Sequence, residues 1–128
     1  MKQLWLLIVA FLLVSCSTMP DIKVKGVDHL AVTEHKLGQW QVIMKCANLM
    51  HTPLAVAMLF PALACAKVNL STWTCDIYYS KATEDFTLAH ERKHCKGYWH
   101  DDGLQKYYDA WRKHPKTAYA TGSSLTTR

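Results

Sequence analysis

The sequence has little of what several common functions require. It contains five glycines and four prolines in 128 residues. It has no glycine-rich phosphate loop, no serine nucleophile elbow and no paired-acid motif. It also has no lysine- or arginine-rich run and no basic stripe with interleaved aromatics. The formal net charge of +5 is spread along the chain, so nucleic-acid binding is not indicated.

The amino terminus has the pattern of an export signal. Lys2 supplies a positive start, and residues 4–14 form an apolar run that is too short to span a bilayer permanently. Residues 13–16 resemble a bacterial lipobox, in which small residues precede a cysteine that is lipidated before cleavage. We therefore expect residues 1–15 to be a lipoprotein signal peptide and Cys16 to carry the lipid, including palmitate. An ordinary secretory signal with an incidental cysteine is the alternative.

The residue after the cysteine bears on localisation. In enteric-type sorting an aspartate at this position retains a lipoprotein in the inner membrane, and this chain has Ser17 there. By that analogy, we expect a lipid-anchored protein of the bacterial envelope that is attached to the outer membrane and faces the periplasm.

Cysteine usage agrees with an oxidising compartment. The chain has five cysteines, and an even number remains when Cys16 is set aside. An even number in a small exported domain indicates disulfides, here two, with three connectivities open. We favour Cys46–Cys65 and Cys75–Cys95, because the second bridge would fix a predicted helix that contains Cys95 to the strand that precedes it.

Candidate metal-binding and catalytic side chains are concentrated in the eleven residues 90–100, which read HERKHCKGYWH. His90 and His94 are four residues apart, so on a helix both imidazoles project from one face, as a tetrahedral zinc requires. Glu91 lies between them and can take a proton from a water molecule. Gly97 can end the helix in a left-handed conformation, after which His100 can return as a third ligand. Three ligands and an open position are typical of catalytic zinc.

The pattern H-E-x-x-H-x-x-G-x-x-H resembles the metzincin clan of zinc metallopeptidases. The resemblance covers these eleven residues and implies that His90, His94 and His100 bind Zn²⁺ and that Glu91 is the general base. The chain departs from the clan in two ways. Its last methionine is Met58, so no methionine turn follows the third histidine, and at 128 residues it is much shorter than a typical metzincin catalytic domain, so it looks more like a small zincin-like lipoprotein. The implied fold is a small, disulfide-stabilised α+β domain, with a short antiparallel sheet or hairpin packed on the motif helix and a C-terminal helix.

The rest of the chain is read around that helix. We expect a tether over residues 16–36, a zincin-like domain over 37–116 and a flexible tail over 117–128. Residues 40–46 predict a strand, and residues 67–80 predict a hairpin because apolar and polar side chains alternate there. One strand of this hairpin could be an open edge that pairs with an extended substrate, or it could be an ordinary sheet edge.

Two further features leave alternatives open. Residues 53–66 are apolar, interrupted by Pro61, and predict either core packed behind the motif helix or an apolar lip for substrate or lipid. Asp101 and Asp102 follow the third histidine. We expect one to cap the next helix, and alternatively to orient a zinc histidine or to replace His100 as the third ligand.

These observations predict a zinc-dependent metallopeptidase held in the envelope by an N-terminal lipid, acting on a peptide or protein substrate. The alternative is a non-catalytic envelope lipoprotein, such as a surface-exclusion, lysis or assembly factor, with a structural metal or none. Four prolines are few for the proline-rich lysis lipoproteins. Neither the substrate nor the oligomeric state follows from the sequence.

Overall fold

A computed structural model of the protein describes residues 21–114 and 125–127. The expected signal peptide, residues 1–15, and the expected lipidation site, Cys16, lie outside the described residues. Within residues 21–114 and 125–127, no helix is both long enough and apolar enough to cross a membrane.

The described elements alternate between short helices and short strands. In chain order they are β1 (Ile22–Lys23), β2 (Ala31–Leu37), α1 (Gln39–Leu49), α2 (Leu54–Leu59), β3 (Ala64–Asn69), β4 (Thr74–Ser80), α3 (Glu84–Cys95), β5 (Tyr98–Trp99), α4 (Gly103–Lys113) and β6 (Leu125–Thr127).

The strands form one main sheet and one small sheet. The main sheet has the order β2-β4-β3-β6, and β1 and β5 form a separate antiparallel pair. The expected hairpin is confirmed, since β3 and β4 are antiparallel neighbours. The α+β class is confirmed as well. The main sheet is mixed rather than purely antiparallel, because β2 runs parallel to β4.

Alternation along the hairpin gives the main sheet two different faces. One face packs on α3 and α4 in the larger apolar cluster, which includes Val68, Ile77, Leu88 and Leu104. The other face packs on α1 in a smaller cluster, which includes Val42, Cys46, Ala62 and Cys65. The motif helix α3 therefore lies on the more extensively packed face, where apolar burial holds it against β3 and β4.

The expected strand over residues 40–46 is wrong, because these residues lie in α1. The side chains that α1 buries are Val42, Cys46 and Ala47, which are spaced as one face of a helix. At its start, the Gln41 side chain accepts a hydrogen bond from the Gly38 N–H at 3.0 Å. The β-prone composition of residues 40–46 predicted a strand, but the spacing of the side chains that are buried matches a helix.

The apolar stretch of residues 53–66 divides between the two alternatives. Its second half is core, since Ala62, Ala64, Cys65 and Ala66 are buried, whereas its helix α2 is mostly exposed. Ala57 is the buried residue of α2. Leu59 is 75% exposed and Phe60, just after the helix, is 66% exposed. Pro53 precedes the helix and Pro61 follows it closely, so α2 stays short and forms part of an apolar surface.

Two disulfides are present, with the favoured pairing. Cys46–Cys65 joins α1 to β3 across 19 residues. Cys75–Cys95 joins β4 to the end of α3 across 20 residues. Loop closure of this length stabilises a fold by about 3 kcal/mol per bridge in the chain-entropy account. The second bridge fixes the residue next to His94.

Gly97 ends the motif helix and reverses the chain. Its φ is +89°, a conformation that residues with a Cβ rarely adopt. A Cβ at this position would lie 2.8 Å from the Val27 carbonyl oxygen and 3.0 Å from that of Val24. Both the backbone conformation and the available space therefore require glycine.

We expect Gly97→Ala to lower the free energy of unfolding by about 2–4 kcal/mol, from the left-handed backbone and the steric overlap combined. Gly38→Ala is the matched control. Gly38 has φ −65°, and the atom nearest to its added Cβ is the mobile end of Gln41 at 3.3 Å. Gly38→Ala should lower the free energy of unfolding by no more than about 1 kcal/mol. Urea unfolding of both variants tests this, and equal losses would contradict it.

Candidate metal centre

The helix that carries the candidate ligands follows Thr83, whose backbone carbonyl rather than its side chain bonds the first turn. The Thr83 carbonyl accepts the Thr87 N–H at 3.0 Å, whereas its hydroxyl donates to the Leu63 carbonyl at 3.2 Å. Glu84 and Asp85 lie in the first turn, where negative charge is favoured by the helix dipole. Thr83 therefore links the start of α3 to the chain just before β3.

Three imidazole rings converge beside the C-terminal half of this helix, two carried by the helix and one by the residue after β5. Nε2 of His90 lies 3.1 Å from Nε2 of His94 and 3.2 Å from Nε2 of His100. One ligand atom from each of the three residues lies within 4.8 Å of the others. A tetrahedral zinc with bonds of about 2.0–2.1 Å separates two ligand nitrogens by about 3.3 Å. The two separations from His90 are therefore close to those around a zinc-sized cation, and the third pair lies within 4.8 Å.

The outer nitrogen of two of the rings faces an acceptor, which indicates where the ring proton lies. Nδ1 of His94 lies 2.8 Å from the Tyr98 carbonyl oxygen. A carbonyl only accepts hydrogen bonds, so Nδ1 donates and Nε2 keeps its lone pair. Nδ1 of His100 lies 3.4 Å from the Asp21 carboxylate, which favours the same tautomer. A neutral His90 has one ring proton, so it cannot donate fully to the Nε2 lone pairs of both His94 and His100. A cation would accept the Nε2 lone pairs of all three rings. The donor set fits a metal.

The three rings differ in exposure. His94 is 1% exposed, and its ring packs on the Trp99 ring with 4.7 Å between centroids. His90 is exposed and His100 is half-buried. One side of the cluster is therefore closed by the protein and another is open to solvent, as a site that exchanges ligands requires.

Glu91 lies on the buried side of the same helix. It is 2% exposed, and its Oε2 has no hydrogen-bond partner among the described residues. Burial raises the pKa of the carboxyl to about 8, and a hydrogen bond from the backbone N–H of Ala66 in β3 opposes that rise. A buried acceptor oxygen without a partner is costly for folding alone, and such groups are frequent at functional sites.

The carboxylates of Asp101 and Asp102, expected to cap the next helix or alternatively to orient a zinc histidine, contact the next helix. Asp101 accepts the Gly103 N–H at 2.8 Å, and Asp102 pairs with Lys106 at 2.8 Å. Both interactions belong to the start of α4, in line with a role at the helix start. The carboxylate at the outer nitrogen of His100 is that of Asp21 instead.

Sequence reasoning missed both groups that face the outer nitrogens. The Tyr98 carbonyl is a backbone group, which a motif does not reveal. Asp21 lies in the segment expected to be a tether, far from the motif in sequence. The antiparallel pairing of β1 with β5 brings Asp21 close to His100. A strand of two residues is too short to give a recognisable alternation in the sequence.

The hairpin does not supply an open edge. β4 lies between β2 and β3, and β3 lies between β4 and β6. Over the described ranges, the borders of the main sheet are β2 and β6. Both alternatives for a hairpin strand, an open edge for an extended substrate and an ordinary sheet edge, are therefore wrong, because β3 and β4 each lie between two other strands.

Comparisons with protein-family models, with curated proteins and with solved structures found no match for this chain. Any function assigned to the cluster therefore rests on its own geometry and chemistry.

We expect the protein to bind one zinc ion per chain. His90→Ala and His100→Ala should each weaken binding by more than about 100-fold, because each removes one of three ligand nitrogens. Competition with a chromophoric chelator measures the affinity. Chelation with EDTA should lower the unfolding temperature of the wild type and leave those of the two variants nearly unchanged.

His29→Ala is the matched control. His29 is exposed and pairs with Asp28 at 2.6 Å, so its loss should leave zinc binding unchanged. Zinc affinity that persists in both cluster variants would contradict a metal centre at the three histidines.

Proposed function

We propose that the protein is a zinc-dependent hydrolase that cleaves amide bonds in peptides or proteins. The observation that supports this is the convergence of three imidazoles on one point. The tautomer of His94 is set by a carbonyl, His100 faces a carboxylate, and one side of the cluster is open to solvent. A closed structural site usually has a fourth protein ligand. Within the described residues the cluster has three members.

In this proposal His90, His94 and His100 hold the zinc ion. When bound, zinc acts as a Lewis acid that polarises a substrate carbonyl and makes a water molecule a better nucleophile at neutral pH. Two parts of the chain hold the rings in place. α3 carries two of them, and the turn at Gly97 returns the third.

Glu91 is the proposed general base. It adjoins His90 in sequence, it is buried, and its Oε2 is not engaged by another described residue. In this role its ionised form, the minor form at neutral pH for a pKa of about 8, would take the proton from the attacking water and deliver it to the leaving amine. The Ala66 N–H fixes the carboxyl against β3, so the side chain does not have to be ordered at the moment of reaction.

The proposal includes a lipid anchor in the bacterial envelope. It is supported by the apolar run over residues 4–14 and by the lipobox-like residues 13–16. Through Cys16 the lipid would hold the domain beside a membrane, and the substrate would be a peptide or protein of the same compartment.

We expect Glu91→Gln to lower hydrolysis by about 10²–10⁴-fold, the usual contribution of a general base. Zinc binding should persist, because the amide changes none of the three ligands. Zinc-loaded protein is assayed with a pooled fluorogenic peptide library, and metal content is measured on the same samples. Glu84→Gln is the matched control, since Glu84 lies on the same helix and pairs with Lys36 at 2.8 Å.

Equal hydrolysis by Glu91→Gln and the wild type, with zinc bound in both, would contradict the role of Glu91. Stable zinc binding with no hydrolysis by the wild type would instead favour the non-catalytic envelope lipoprotein.

We expect Cys16→Ser to abolish incorporation of labelled palmitate when the full chain is made in a bacterial host. Cys46→Ser, which removes a disulfide cysteine, is the control and should keep the label. Palmitate on the Cys16→Ser protein would contradict lipidation at this cysteine.

A further inference from the structure

Strand β1 lies beside β5, the strand that precedes the third histidine. β1 pairs antiparallel with β5, with Ile22 opposite Trp99 and Lys23 opposite Tyr98. The Val24 N–H extends this pairing by donating to the Gly97 carbonyl at 2.9 Å. Continued by one residue in the other direction, the same register sets Asp21 opposite His100.

The side chains of that last pair meet. The Asp21 carboxylate lies 3.4 Å from Nδ1 of His100, and the two side chains are 36% and 37% exposed. A carboxylate on the outer nitrogen of a metal-binding histidine fixes the ring and raises the basicity of the inner nitrogen. His94 receives its corresponding contact from the Tyr98 carbonyl, so one outer partner lies in β5 and the other directly precedes β1.

We propose that Asp21 is a positioning residue that holds His100 in place as the third metal ligand. This inference rests on the proposed metal centre and names a residue that assembles it. His100 needs such a partner more than the other two histidines do. His90 and His94 are carried by a twelve-residue helix, whereas His100 follows a strand of two residues and its ring is half-exposed.

The other carboxylates near His100 in sequence do not compete for this role. Asp101 is engaged by Gly103 and Asp102 by Lys106. Two lysines, Lys93 and Lys96, line a cavity of about 420 Å³ together with Asp21 and Tyr98. They are alternative partners for the Asp21 carboxylate, so the experiment must show that its effect passes through His100.

The experiment measures zinc affinity, with the metal alone as the probe and the full chain as the protein. We expect Asp21→Asn and Asp21→Ala to raise the Kd for zinc by about 10–100-fold, the usual cost of losing an outer carboxylate. Asp28→Asn is the matched control. Asp28 also pairs with a histidine, His29, in the same N-terminal segment, and its loss should leave the Kd unchanged.

A second measurement separates positioning from general damage to the fold. In a His100→Ala background, Asp21→Asn should have no further effect on the Kd, because the ring that it positions is absent. The d–d spectrum of the Co²⁺-substituted protein should shift in Asp21→Asn and keep its wild-type form in Asp28→Asn. A merely structural role would weaken binding in both backgrounds and leave the Co²⁺ spectrum in place.

The outcomes distinguish this inference from the proposed function. If the wild type binds zinc through the three histidines and Asp21→Asn binds it equally well, the role of Asp21 is overturned and the metal centre stands. An equal loss with and without His100 overturns the role of Asp21 in the same way. If the wild type binds no zinc, the metal centre fails and the role of Asp21 fails with it.

Discussion

The chain reversal at Gly97 is the constraint on which the candidate site depends. Two histidines one helical turn apart make half of a coordination sphere, and a straight continuation of α3 would carry the next histidine away from them. The left-handed turn at Gly97, packed against the Val24 and Val27 carbonyls, sends the chain back as β5. The same contact holds the N-terminal segment in place, so the turn and the segment that supports His100 are built together.

The sequence predicted the local parts of this arrangement and missed the distant ones. The spacing of His90 and His94 and the glycine before His100 follow from helix geometry, and alternation within one short range predicted the hairpin. The β-prone run before Cys46 misled, because its composition favours a strand while its buried side chains follow a helical spacing. β2 was missed since its partner β4 lies some forty residues away and its own side chains are mostly exposed, so no apolar alternation marks it.

The same distinction applies to the groups around the histidines. Residues adjacent in sequence, Asp101 and Asp102, were natural candidates for orienting a ligand, but the start of α4 engages both of them. The outer partners that the structure supplies are a backbone carbonyl and a carboxylate nearly eighty residues away. Side chains and carbonyls of this kind are selected by strand register, which depends on the whole fold. Motif spacing therefore identifies the candidate ligands and leaves their supporting contacts unspecified.

The Cys75–Cys95 bridge has a thermodynamic consequence for any ion that the histidines bind. Cys95 adjoins His94, so the arrangement of α3 against β4 that keeps the two sulfurs together is also the one that presents the rings. Linkage is reciprocal: whatever free energy the bridge adds to ion binding, a bound ion adds to the bridge. The loaded protein would then hold its disulfide at a lower reduction potential than the empty one, by about 30 mV for each 1.4 kcal/mol of coupling. Thiol reductants would thus discriminate between loaded and empty molecules.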